Sequence, residues 1–370
     1  MEEIKGLVIE DGILKEYRGG RKTLSIPEGV KIIAEDAFAG RKKLETVIIP
    51  NSVTTIGERA FQSCINLSNI SIPDSVTNIM GDAFSFTEWL KKQQEINLMV
   101  IVNGILVDGR RCEGDITIPD EVTTIGEYAF FHCTTLTSIT IPESVISIEP
   151  KAFDYCPGLT RITIPKSVSN IGSRAFCDCF SLKEVSLPDT LKTINSHTFE
   201  NCNSLENISI PNSVSRIGEF SFKCCKALKN VIIPNSVTNI DSYAFWDCIS
   251  LESVTILDGE ETLKIDDSAF RDCEKLKYIN WTNRISDIGI TAFSSCSSLN
   301  SISIPDSITH IHDRTFERCT KLNTVRIPES ITTIGKHSFE SCFSLNQISI
   351  PKNCSYEDSS FPTGCNIITY

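Results

Sequence analysis

Phe130-Phe-His-Cys133-Thr-Thr-Leu136-Thr-Ser-Ile139-Thr-Ile141-Pro142-Glu-Ser-Val145-Ile-Ser-Ile148 is the stretch that decides how this chain folds. From Leu136 to Ile141 the apolar residues are spaced for a short strand with one covered face. Pro142 ends that strand, because proline has no amide hydrogen to extend a ladder. Val145 and Ile148 supply a second apolar pair. In several copies of the pattern a glycine follows (Gly57, Gly172, Gly218, Gly335), which permits a turn.

The copies run the length of the chain. A phenylalanine preceded by Ala, Ser or Thr stands at 38, 61, 84, 130, 153, 176, 199, 222, 245, 270, 293, 316 and 339, mostly 23 residues apart. The step from 84 to 130 is two periods, and the step from 245 to 270 is 25. Proline keeps the same clock, and only Pro150, Pro157 and Pro362 of 15 fall outside it. One such unit cannot bury its apolar side alone, so units stack and each contacts its neighbours. Roughly fourteen turns, with strands about 4.8 Å apart, make a rod on the order of 60 Å long.

The motif Ile-Pro-x-x-Val-x-x-Ile-x-x-x-Ala-Phe-x-x-Cys-x-x-Leu resembles the BspA-like class of leucine-rich repeats with its 23-residue unit. The resemblance covers nearly the whole chain. It implies an α/β-type, mostly β solenoid: a curved right-handed leucine-rich repeat with parallel strands on its concave face. BspA-like proteins are typically bacterial or protist surface proteins implicated in binding host extracellular-matrix proteins. The resemblance therefore implies a non-catalytic binding or adhesion module, at the cell surface or secreted. An intracellular scaffold and an architectural spacer of a larger protein are the alternatives.

Composition narrows the partners. The 370 residues carry 35 Lys+Arg against 47 Asp+Glu, a formal charge of −12, which argues against nucleic acid as a ligand. No apolar run approaches the ~18 residues of a membrane helix. The start, Met1-Glu-Glu-Ile-Lys-Gly-Leu, lacks the basic and apolar regions of a signal peptide, which suits a cytoplasmic location. The expected partner is a protein or glycan bound by a monomer, with no cofactor.

Eleven of the 16 cysteines stand three residues after the marker phenylalanine, from Cys64 to Cys342. A disulfide joins two turns, whereas this column repeats in all of them, so it reads as small buried filler. Cys177-x-Cys179 and Cys224-Cys225 lack zinc spacing. Cys354 and Cys365 could pair as a terminal staple. His310-x-His312 and the acidic stretch Asp258-Gly-Glu260-Glu261 with Asp266-Asp267 read as solvated loops, and no metal site is assigned. No nucleophile elbow, phosphate loop, dinucleotide fingerprint or zinc-protease motif occurs, so no catalytic residue is assigned.

The expected organisation is an N-terminal hairpin cap over 1–26, a solenoid over 27–351 and a C-terminal cap over 352–370. Inside the solenoid, 85–115 form a helix-plus-hairpin insertion in one continuous array; two solenoid segments with a hinge there are the alternative. Thr87 is the candidate helix N-cap, and Asn103-Gly104 repeats the Asp11-Gly12 hairpin turn. The candidate binding residues face outward between the strand's core positions: Ser71, Thr140, Arg161, Thr163, Glu184, Ser186, Asn207, Ser209, Asn230, Thr255, Tyr278, Asn280, Ser303 and Arg326. Of these Tyr278, Arg161 and Arg326 have the anchor chemistry of tight interfaces. Phe131, Trp246, Phe180 and Phe343 are further exposed candidates, expected to be partly covered loop side chains.

Overall fold

The computed structural model describes residues 6–370; the first five residues of the expected N-terminal cap lie outside them. The chain is a mostly β solenoid of about 16 turns, more than the fourteen expected, because rungs form beyond both ends of the regular repeat. Thr23–Ser25 already pairs in parallel with Thr46–Ile48, and Asn366–Thr369 adds a parallel strand to Gln347–Ile350. Each turn contributes two strands. Leu-x-x-Ile-x-Ile forms the longer one, as in Arg161–Thr163 beside Glu184–Ser186, and the Val-x-x-Ile segment forms a two-residue rung, as in Thr124–Ile125 beside Ser147–Ile148. A serine just before the valine donates to the valine-position carbonyl one turn earlier (Ser144 to Val122, 2.8 Å; Ser167 to Val145, 2.7 Å), fixing the register of this second side.

The marker phenylalanines are fully buried and stacked, with ring centroids 5.2 Å apart for Phe153 and Phe176 and 5.6 Å for Phe176 and Phe199. The backbone around them alternates its bonds. In one turn the amides of Lys151, Phe153 and Tyr155 donate to the next turn, at Ser173, Ala175 and Cys177, while those of Ala152 and Asp154 close onto Glu149 and Lys151 of their own turn. That alternation requires left-handed backbone two residues before and two residues after the ring. Lys151 (φ 56°) and Tyr155 (φ 59°) take it here, and Arg174, Phe220, His132 and Asn201 take it elsewhere. The glycines after the second rung are different. Gly57 has no positive φ, but a Cβ there would lie 2.6 Å from the Glu35 nitrogen, so glycine serves close stacking of turns and not turn geometry.

The thiol column is more than filler. The Cys156 Sγ donates to the Phe130 carbonyl at 3.1 Å, Cys179 to Phe153 at 3.2 Å and Cys225 to Phe199 at 3.3 Å, and the pattern persists to Cys342 on Phe316. Each thiol thus donates to a buried carbonyl of the preceding turn, a second bond where that carbonyl already accepts the amide three residues on, as Phe130 does from Cys133 (3.1 Å). Burial pushes their pKa up, to about 11 at Cys64 and about 12 at Cys342, so they stay protonated and unreactive. Cys354 and Cys365 are free thiols.

Two places interrupt the period. A helix, Glu88–Ile96, stands where the strand near residue 92 would fall, capped by the Thr87 hydroxyl accepting from the Leu90 amide (3.1 Å). The hairpin Val100–Val102 and Ile105–Asp108 comes next, turning at Asn103 and Gly104, and Ile105–Asp108 starts the next parallel series. The apolar interior divides here into two clusters, one ending at Ile105 and one beginning at Leu106. The ring stack breaks with it: Phe84 is covered by Trp89 (4.8 Å), and Phe130 by Gly109, where a Cβ would lie 2.4 Å from the ring. Among the described residues no backbone-to-backbone hydrogen bond crosses this junction, although the Gly81 amide donates to the Glu127 carboxylate (3.1 Å). Side chains hold it instead: Arg110 pairs with Asp82 (2.9 Å) and Asp108, and Asn103 donates to the carbonyls of Pro73 (2.8 Å) and Val76 (2.9 Å).

The second interruption is the 25-residue step. The expanded turn carries no serine to bind the Val237 carbonyl, and Arg284 reaches across from the following turn. Its guanidinium donates to the carbonyls of Val237 (2.8 Å), Asn235 (3.0 Å), Pro234 (3.1 Å) and Glu261 (3.1 Å), and the residue is 6% exposed. Desolvation lowers its pKa from the ordinary arginine value, with Asp258 opposing.

Candidate binding surface

Because the longer strands are parallel and in register, their outward residues form columns. Arg161 stands beside Glu184, Thr163 beside Ser186, and Ser303 beside Arg326, while Asn207 bridges to Asn230. Ser71, Thr140, Arg161, Thr163, Glu184, Ser186, Asn207, Ser209, Asn230, Tyr278, Ser303 and Arg326 are exposed, whereas Thr255 and Asn280 are partly covered. Asn280 is occupied in the ladder: its amide donates to the Ile256 carbonyl (2.8 Å) and its Oδ1 accepts from the Ile256 amide (2.6 Å). It replaces the peptide that the strand Tyr278–Ile279 stops short of providing.

Among the described residues the candidates in these columns form ion pairs only through two arginines, while Asn230 accepts from the Ser253 hydroxyl (2.7 Å). Arg161 pairs loosely with Glu184 (3.4 Å), with both side chains well exposed, a contact worth little in water. Arg326 donates to Asp306 (3.0 Å) and to the Ile304 carbonyl (3.2 Å). Beside it Ser349 and Tyr370 line an open cleft of about 620 Å³, with the Tyr370 hydroxyl donating to the Ile327 carbonyl (2.7 Å). Sequence reasoning missed Tyr370, which lies outside the repeat and so carries no periodic signal. Tyr278, 57% exposed, is the one large aromatic among the candidates.

The four other aromatic candidates lie near the left-handed turns. Phe131 packs edge-on against Tyr128 (5.4 Å), Phe180 meets Tyr155 (5.9 Å), and Trp246 donates its indole hydrogen to Asp272 (2.8 Å); all three are partly covered. Phe343 differs, at 75% exposed. His310 and His312 do not converge: His310 contacts Thr309 (2.7 Å) and His312 contacts Asp287 (3.1 Å). Asp258, Glu260 and Glu261 are exposed, Asp266 pairs with Lys264 (2.9 Å), and Asp267 accepts from the Ile290 amide (2.7 Å). No helix among the described residues is long and apolar enough to cross a membrane.

A family model for the BspA type leucine rich repeat region, in 6 copies, matches residues 16–103, 113–204, 147–264 and 263–370. Among solved structures the chain is similar to a leucine-rich repeat protein from Bacteroides ovatus ATCC 8483. The two are 27% identical over 100% of this chain and 97% of that one, with a TM-score of 0.48. It is also similar to a leucine rich cell surface protein from Faecalibacterium prausnitzii A2-165, 28% identical over 94% of this chain and 91% of that one, with a TM-score of 0.42. No curated protein matches the chain.

Proposed function

The chain belongs to the BspA-type leucine-rich repeat family, and from that premise we propose that it is a non-catalytic binding module whose strand face takes an extended protein partner. The observation that carries this reading is the set of in-register columns of exposed hydrogen-bonding side chains. Such a row offers donors and acceptors at strand spacing without a deep pocket, which suits a large ligand. Arg161, Tyr278 and Arg326 are the anchors, being the residue types that dominate interface energetics. The same reading keeps the division into ends over 1–26 and 352–370, a solenoid over 27–351 and the helix-plus-hairpin segment over 85–115. A surface or host-interaction setting is the one the family suggests. The buried, protonated thiol column is compatible with an oxidising compartment, because buried thiols resist exchange.

The test is solution binding of the chain to a panel of extracellular-matrix proteins and, in parallel, to glycans. Binding to a matrix protein that is lost in the Arg161→Glu, Tyr278→Ala, Arg326→Ala triple variant supports the proposal. Glycan binding alone, no binding, or binding indifferent to the triple variant refutes it.

A further inference from the structure

On the side away from the long strands, the residue after each marker phenylalanine lines up from turn to turn. Asp154 follows Phe153, Cys177 follows Phe176, and Asp178 comes next. The backbone fixes their relative positions, since the Tyr155 amide donates to the Cys177 carbonyl (2.9 Å) and the Asp178 amide to the Glu200 carbonyl (2.9 Å). One carboxylate oxygen from each aspartate and the Cys177 Sγ all lie within 4.8 Å of one another. Asp154 is only 9% exposed, yet among the described residues its carboxylate has neither a hydrogen-bond donor nor an ion pair, and it points into this cluster. A buried, unpaired carboxylate is costly.

Arg174, Lys151 and His132 face Asp154, but among the described residues none forms an ion pair with it. Glu200 closes one flank, its carboxylate 3.9 Å from the Cys177 Sγ, but Lys223 (2.8 Å) and the His197 Nδ1 (2.6 Å) already engage it. Asn201 donates to one oxygen of Asp178 (2.7 Å). Cys177 stands outside the thiol column and, among the described residues, donates to the Glu200 carboxylate (3.9 Å) and to no backbone carbonyl, so the packing role of the other cysteines does not explain it.

We propose that Asp154, Cys177 and Asp178 form a binding site for a borderline divalent cation of the Zn²⁺ class, with water in the fourth position. Sulfur as a ligand disfavours Mg²⁺ and Ca²⁺, while two carboxylates disfavour a purely thiophilic ion. One thiolate and two carboxylates beside an open position match a tetrahedral ion. Binding releases the thiol proton to solvent, and the cation supplies the positive charge that Asp154 otherwise lacks. The site clips two successive turns together.

The full chain, stripped with chelator and exchanged into metal-free buffer, is titrated with Co²⁺ as a spectroscopic probe. A thiolate-to-cobalt absorption band saturating at one ion per chain and displaced by Zn²⁺ is expected. Cys177→Ser abolishes the band, Asp154→Asn weakens binding by about tenfold or more, and Cys224→Ser, at a partly exposed thiol outside the cluster, leaves it unchanged. Absence of a saturable band, or a band that survives Cys177→Ser, overturns the proposal. Should Cys177→Ser fail to fold, unchanged affinity in Asp154→Asn overturns it equally.

Discussion

Arg284→Met isolates the stitch that closes the expanded turn. Methionine keeps most of the side chain's length and its apolar packing but removes every donor. Four carbonyls lose a partner: Pro234 keeps the Val237 amide (3.1 Å), Asn235 and Glu261 are exposed and can turn to water, and Val237 alone is left buried without a donor. Orphaning that one buried acceptor gives a gross cost of about 1–3 kcal/mol. Relief of the buried cation, whose pKa desolvation already lowers, offsets part of this, so a net loss of about 1–2 kcal/mol is expected. Arg284→Lys falls between, because one ammonium cannot span the fork of four acceptors. Denaturant unfolding gives the magnitude. Hydrogen exchange gives the place, with protection falling across 230–265 and 284–290 and holding in the turns before Phe176. An Arg284→Met variant within about 0.5 kcal/mol of the wild type, the range of an ordinary surface change, with exchange over 230–265 unaltered, would refute the reasoning.

Phe199→Ala opens a gap between two stacked rings and is expected to cost about 3–5 kcal/mol, read as lost exchange protection in the flanking turns; an unaltered melt contradicts the stack. Alkylation of the native chain should modify Cys224 and Cys365, which are partly exposed, well before any thiol of the column, and mass mapping that finds Cys225 or Cys248 labelled first would contradict the column's role. Asp154, faced by Asp178 and by Arg174, Lys151 and His132, is raised from 3.8 to about 6, chiefly by burial. A raised carboxyl favours the folded state at low pH and loses that contribution as pH climbs from about 3.8 towards 6. Asp154→Asn in the metal-free chain should therefore melt like the wild type near pH 3.5 and higher than it at pH 7, and equal melts at both would count against the burial of that charge.

The repeat was legible because stacking forces one chemistry onto every turn: Phe199, Cys202 and Leu205 can be read from Phe176, Cys179 and Leu182. Features that arise from contact between turns were less visible. The left-handed sites are held by Lys151, Arg174 and Phe220, residues that carry no local signal for that conformation, since the inter-turn ladder imposes it. The glycine column reads locally as turn chemistry, although backbone approach from the neighbouring turn is its cause. Arg284 looks like a loop residue until the carbonyls two turns back are in view. The outward strand positions were identifiable from alternation alone, but Asn280's use in the ladder was not, and neither was the convergence of Cys177 with Asp154, which lies one turn away.

The junction after Phe84 also has a mechanical meaning. Elsewhere neighbouring layers are tied by sideways hydrogen bonds between peptide groups and by a continuous pile of phenyl rings. Here the tie is Arg110 with its two carboxylates, the amide of Asn103 and the Glu127 carboxylate on the Gly81 amide. If the rod were tugged from its ends, this seam would yield before the others.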